Sequence, residues 1–122
     1  MFSYDDPKYG SQKVSFVGKL GANASADTAQ GRFVTYCNAK VTEVVAIGNA
    51  AGTADASGWT VKKGTTSCGS LVVGTTATAG VIQAASLTDQ TFTSTDVLNI
   101  HNIGSDTQQE AFVYVVWQEA FA

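Results

Sequence analysis

Read from one end to the other, the chain shows apolar residues in short runs with strand periodicity and almost no helical spacing. Val, Ile, Thr, Phe and Tyr gather in these runs, and clusters of Gly, Ser, Asn and Asp separate them, as expected of strands punctuated by turns. Eight candidate strands follow: 13–19 (KVSFVGK), 31–37 (GRFVTYC), 41–48 (VTEVVAIG), 58–62 (GWTVK), 70–74 (SLVVG), 80–85 (GVIQAA), 97–103 (VLNIHNI) and 110–117 (EAFVYVVW). The stretches 21–31, 48–58, 63–69, 74–80 and 104–106 read as loops rich in small turn formers. This pattern predicts an all-β fold, an antiparallel β-sandwich with a jelly-roll-like arrangement.

The faces of these strands differ in a way that bears on assembly. In 13–19, Val14 and Phe16 share one face with Gly18, while Ser15, Val17 and Lys19 share the other, a one-sided pattern suited to a sheet edge. In 97–103, Leu98 and Ile100 share a face with Asn102, and the opposite face mixes Val97, Asn99, His101 and Ile103. The run "AFVYVVW" (111–117) is apolar on both: Phe112, Tyr114 and Val116 on one side, Val113, Val115 and Trp117 on the other. A two-layer sandwich leaves one face of each sheet to water, so a doubly apolar strand calls for a third layer. A second copy of the chain is the simplest such layer, which makes Phe112, Val113, Tyr114, Val115, Val116 and Trp117 the candidate oligomer-interface residues.

Charge sharpens that expectation. Only 14% of residues are charged, against about 25% in an average domain, so part of the surface is expected to be covered. A net charge of −3, with Lys62-Lys63 the one adjacent basic pair, argues against binding a phosphate backbone. No apolar run reaches the roughly 18 residues that span a bilayer, and the first residues have neither the basic nor the apolar region of a secretory signal. The expectation is a protein that is soluble when made, with no nucleic acid and no membrane among its partners. At 122 residues the chain suits one domain, placed at 13–122 behind an N-terminal arm, 1–12. The arm, "MFSYDDPKYG", holds Phe2, Tyr4 and Tyr9 beside the single proline, and its aromatic residues are candidate contacts to a neighbouring protein.

Candidate chemistry is sparse. His101 is the sole histidine, and Asp96, five positions away, falls on the opposite strand face. Asp96 also follows Thr95 in a stretch, "TFTSTDVLNI", that reads as a turn closed by side-chain hydrogen bonds. The acidic residues Asp89, Asp96, Asp106 and Glu110 lack the close spacing of a calcium loop. Cys37 and Cys68 stand outside any CxxC context and read as reduced, packed thiols. No nucleophile motif or phosphate loop occurs. The sequence therefore assigns no catalytic, cofactor-binding or metal residues, and predicts a protein that is not an enzyme and uses no cofactor.

From Thr42 to Trp117, about two-thirds of the chain, the sequence resembles small virion proteins of tailed bacteriophages of the capsid decoration, or cement, type. The resemblance rests on "TEVVAIGNAAGTA", "GWTVKKGTTSCGSLVVGTTATAGVIQAASL", "LTDQTFTSTDVLNIHNIG" and the closing apolar strand "EAFVYVVW". It departs from the family pattern at Thr95, where a Gly usually precedes the Asp. The resemblance implies a jelly-roll or related sandwich that assembles, commonly as a trimer, on the outer capsid face and cements neighbouring subunits of the major capsid protein. It carries over no catalytic residue. A carbohydrate- or receptor-binding module of a virion fibre or spike is the alternative, with Trp59, Tyr36 or Tyr114 as an exposed aromatic shelf, and another minor virion structural protein would share the same fold.

Overall fold

The computed structural model describes residues 10–20, 29–50, 58–72, 82–102 and 110–120. They form strands β1 (Lys13–Leu20), β2 (Ala29–Phe33), β3 (Ala39–Ala50), β4 (Gly58–Lys63), β5 (Thr66–Val72), β6 (Ile82–Ser86), β7 (Thr91–Phe92), β8 (Leu98–Asn102) and β9 (Glu110–Glu119). Every pairing is antiparallel. One sheet has the order β1-β9-β3-β6, with β7 also paired to β3, and the other has the order β2-β8-β4-β5. Successive strands change sheets at most steps, and with the two-residue β7 set aside this is the double Greek-key order of a jelly roll. The all-β antiparallel sandwich expected from the sequence is the fold observed.

The core lies between the sheets and follows from strand alternation. Val41, Val44, Trp59, Val61, Leu98, Ile100, Val113 and Val115 are completely buried, joined by Leu20, Cys68, Leu71, Leu87 and Phe92. Trp59 carries the largest of these side chains, and its indole N–H donates to Gln30 Oε1 at 3.1 Å, so the one polar atom of the ring is satisfied inside the sandwich. Gly31 on β2 lies under β1: a Cβ there would stand 2.9 Å from Val17 Cγ1 and 3.3 Å from Leu20 Cδ1. The two sheets approach this closely only because the position lacks a side chain.

Three details depart from the sequence reading. The stretch 63–69, read as a loop, is instead a tight hairpin: Lys63 pairs with Thr66 across Gly64-Thr65, and Gly64 has φ of 63°. Glycine at the first position of a two-residue turn suits the strand twist. The polar Thr66 and Ser67 concealed a strand whose register slips at Cys68. The run 31–37 does not continue as a strand past Phe33, because the chain turns at Tyr36, a non-glycine residue with φ of 59°, where Thr35 Oγ1 donates to the Cys37 carbonyl at 2.8 Å. The third departure is β7, too short to produce an alternation, which anchors Phe92 against the core.

Between β7 and β8 the turn is built as the sequence suggested. Asp96 Oδ2 accepts from the Thr93 backbone N–H at 2.8 Å and from Thr93 Oγ1 at 3.1 Å, while the Asp96 N–H donates to the Thr93 carbonyl at 3.2 Å. Lys63 closes over the same region, donating to the Thr91 carbonyl at 2.6 Å and pairing with Asp89 at 3.2 Å and Asp96 at 3.8 Å. At the other end, Gly10 N–H donates to the Glu119 carbonyl, and Gln118 Nε2 donates to the Gly10 carbonyl. The chain is thus tied to the end of β9 before β1 begins. The arm candidates Phe2, Tyr4 and Tyr9 lie outside the described residues.

Candidate interaction face

The outward face of the β1-β9-β3-β6 sheet can be built row by row from register. Phe16 pairs with Tyr114, which pairs with Val45, which pairs with Ala84. One row away, Val14 pairs with Val116 and Val116 with Glu43; on the other side Lys19 pairs with Phe112 and Phe112 with Ile47. Directly opposed residues share a face, so the centre of this outer surface is a continuous apolar field crossing three strands. Val14 is 61% exposed, Phe16 57% and Phe112 36%. Phe16 holds the field together: its ring centroid lies 5.2 Å from that of Tyr114 and 6.5 Å from that of Phe112, both tilted. Charge flanks this centre among the described residues: Glu43 ends the Val14–Val116 row, and Lys19, opposite Phe112, meets Glu110 Oε2 through its Nζ at 3.5 Å.

These positions divide "AFVYVVW" into its two predicted sets and assign them. Val113 and Val115 point into the core, and Trp117 packs against its end, edge-on to Phe33 at 5.9 Å, with its indole N–H donating to Ser15 Oγ at 2.9 Å. Phe112 and Tyr114 point away from it. Val116 faces the same way and is closed over by its neighbours, standing apart from the core cluster although little of it is exposed. Of the six interface candidates, Val113 and Val115 are therefore interior residues, Trp117 is mostly one, and Val116 is already covered within the protomer; the geometry leaves Phe112 and Tyr114 for a partner.

Four further contributors were not assigned from sequence. Val14 and Phe16 sit on an edge strand, as their one-sided pattern suggested, yet their larger apolar side faces outward. The inward side is taken by Ser15, which receives the Trp117 indole, and by Val17, which bulges toward Gly31 where the β1 register shifts between Phe16 and Gly18. On β3, Val45 and Ile47 face outward while Val44 and Ala46 are buried. The unbroken apolar run 44–47 was the available signal, the same kind of doubly apolar pattern as β9.

The other candidates separate. Trp59 is fully buried and cannot form an aromatic shelf; Tyr36 is 82% exposed in the β2–β3 connection, and Tyr114 lies on the β9 outer face, so the three do not meet on one surface. His101 projects from the outer face of the second sheet, while the Asp96 carboxylate is engaged by Thr93 and Lys63. The Thr93 N–H, with Lys63 assisting, holds the Asp96 carboxyl below its ordinary value of 3.8. Cys37 and Cys68 are free thiols, and burial pushes the Cys68 thiol up. Among the described residues, no three His, Cys, Asp or Glu side chains gather in a way that could hold a metal ion. No protein-family model, curated protein or solved structure matches the chain.

Proposed function

We propose that this protein is a non-enzymatic structural component of a bacteriophage virion, a decoration or cement protein that assembles as an oligomer, most simply a trimer, on the outer capsid surface. The observation that carries the reading is the apolar field of Val14, Phe16, Val45, Ile47, Phe112 and Tyr114 on one outer sheet face. An apolar surface of this kind, crossing three strands and rimmed by charge, is suited to a permanent interface between copies. The jelly-roll order supports the reading by analogy, since capsid proteins use this architecture, although lectins use it as well.

In this reading the apolar sheet face meets the neighbouring copy, and the arm bearing Phe2, Tyr4 and Tyr9 contacts the major capsid protein. The oligomer covers the residues that a monomer would expose, and the assembled ring adds contacts across capsid subunits without any reaction. Purified protein added to capsids that lack it should bind to saturation at a fixed number of copies per shell and raise the temperature at which the shell opens. Binding that never saturates, or a shell whose opening temperature is unchanged at full occupancy, would remove the cement role.

A further inference from the structure

The opposite outer face has a different chemistry. Strands β2, β4, β5 and β8 together contain one Arg, two Lys and one His and no Asp or Glu, in a chain whose net charge is −3. Lys63 turns away to Asp89 and Asp96. Arg32, Lys62 and His101 line an open depression of about 580 Å3 on the outer face, together with Asn99 and the Gly64-Thr65 turn. Positive charge gathered on one face of an acidic protein raises the local concentration of anions there.

The depression is also pre-organised. Asn99 Nδ2 donates to the Gly64 carbonyl at 2.8 Å, and Asn99 Oδ1 accepts from Arg32 Nε at 3.0 Å. This relay fixes the plane of an exposed guanidinium whose conformational freedom would otherwise oppose binding. With Nε occupied, the two terminal nitrogens are the pair that a carboxylate would bridge. Arg32 forms no ion pair among the described residues.

We infer that this depression is a binding site for a carboxylated saccharide, with Arg32 and Lys62 receiving the carboxylate and Asn99, His101 and Thr65 the ring hydroxyls. Its volume lies in the range of small-ligand sites. An extended acidic peptide fits less well: Asn99, His101 and Lys62 lie on β8 and β4, interior strands of their sheet, and the free edge of β2, which carries Arg32, lies in the sheet plane beside the depression, so strand addition would pair next to the site and not within it. A nucleic acid would need a longer track of cations than this face carries.

The test is titration of the full chain with trigalacturonate, with neutral maltotriose and with a hexaglutamate peptide, followed by backbone amide chemical shifts and calorimetry. Trigalacturonate should bind saturably, shift the amides of Asn99 and His101, and weaken at least 10-fold in both Arg32→Gln and Lys62→Gln, while maltotriose does not bind. Each variant should retain the parent's melting temperature and oligomeric state, since neither side chain belongs to the core or the apolar face. Equal binding of maltotriose, or trigalacturonate affinity unchanged in both variants, would overturn the site. Tighter binding of hexaglutamate than of trigalacturonate would overturn the saccharide assignment.

Discussion

Replacing Phe16 by Asp separates assembly from folding more cleanly than any other single change. The ring is 57% exposed in the protomer, so its loss costs the isolated fold little beyond its contacts with Tyr114 and Phe112, about 0.5–1.5 kcal/mol for each aromatic pair. In an oligomer the exposed part becomes buried. Taking roughly 2–3 kcal/mol for complete burial of a Val or Phe side chain, and scaling by the exposed fractions of Val14, Phe16 and Phe112, these three residues contribute about 4 kcal/mol per protomer before ordering costs. Phe16 supplies nearly half of that. Losing its share and confronting an apolar partner with a carboxylate should weaken association by about 2–4 kcal/mol, or 30- to 1,000-fold. Sedimentation velocity across a dilution series reads this directly: the parent chain should sediment as a closed oligomer at micromolar concentration and Phe16→Asp as a monomer. Thermal melts of both as dilute monomers should differ by only a few degrees. A parent chain that is monomeric at every concentration, or a Phe16→Asp oligomer as tight as the parent, refutes the reasoning.

Three other changes probe the scaffold. Gly31→Ala places a methyl 2.9 Å from the stiff Val17 side chain and should cost about 1–3 kcal/mol; chemical denaturation should also show Gly31→Ala/Val17→Ala losing less than the sum of the single changes, and simple additivity would contradict the contact. Gln30→Leu leaves the buried Trp59 N–H without its acceptor, an expected loss of about 1–3 kcal/mol, visible as a lower denaturation midpoint with an unchanged slope. Asp96 titrates below its ordinary 3.8 in the folded state, so its stabilisation is fully present above that value and fades as pH falls through it toward the folded-state value. Asp96→Asn should therefore be less stable than the parent at neutral pH, with the difference closing as the solution is acidified below pH 3.8; a gap independent of pH would show that the turn does not depend on the carboxylate's charge.

Much of the sandwich was legible because its strands alternate plainly. Lys13–Leu20 and Glu110–Glu119 begin where the sequence placed them, and the Asp96 turn has the side-chain hydrogen bonds its residues suggested. Less visible were features decided by partners distant in sequence. Whether Phe112 or Val113 turns inward depends on the register of β9 against β1 and β3, strands some 70 to 100 positions away. The outward direction of Val14 and Phe16 depends on a glycine at position 31 that admits Val17 and on a serine that receives an indole. Thr66 and Ser67 look like loop residues because their strand lies at a sheet edge, where polar side chains are tolerated. The basic face was present in the strand sequences as a lack of acids, but it becomes a surface only when β2, β8 and β4 lie side by side.

Radical footprinting of the protein on the assembled particle tests the central claim most directly. If the apolar face of the β1-β9-β3-β6 sheet meets a neighbouring copy, labelling of Val14, Phe16 and Phe112 should fall several-fold from dilute monomer to particle, while Tyr36 stays as reactive as its exposure allows. Undiminished labelling of Phe16 on the particle would place that face in solvent and contradict the account.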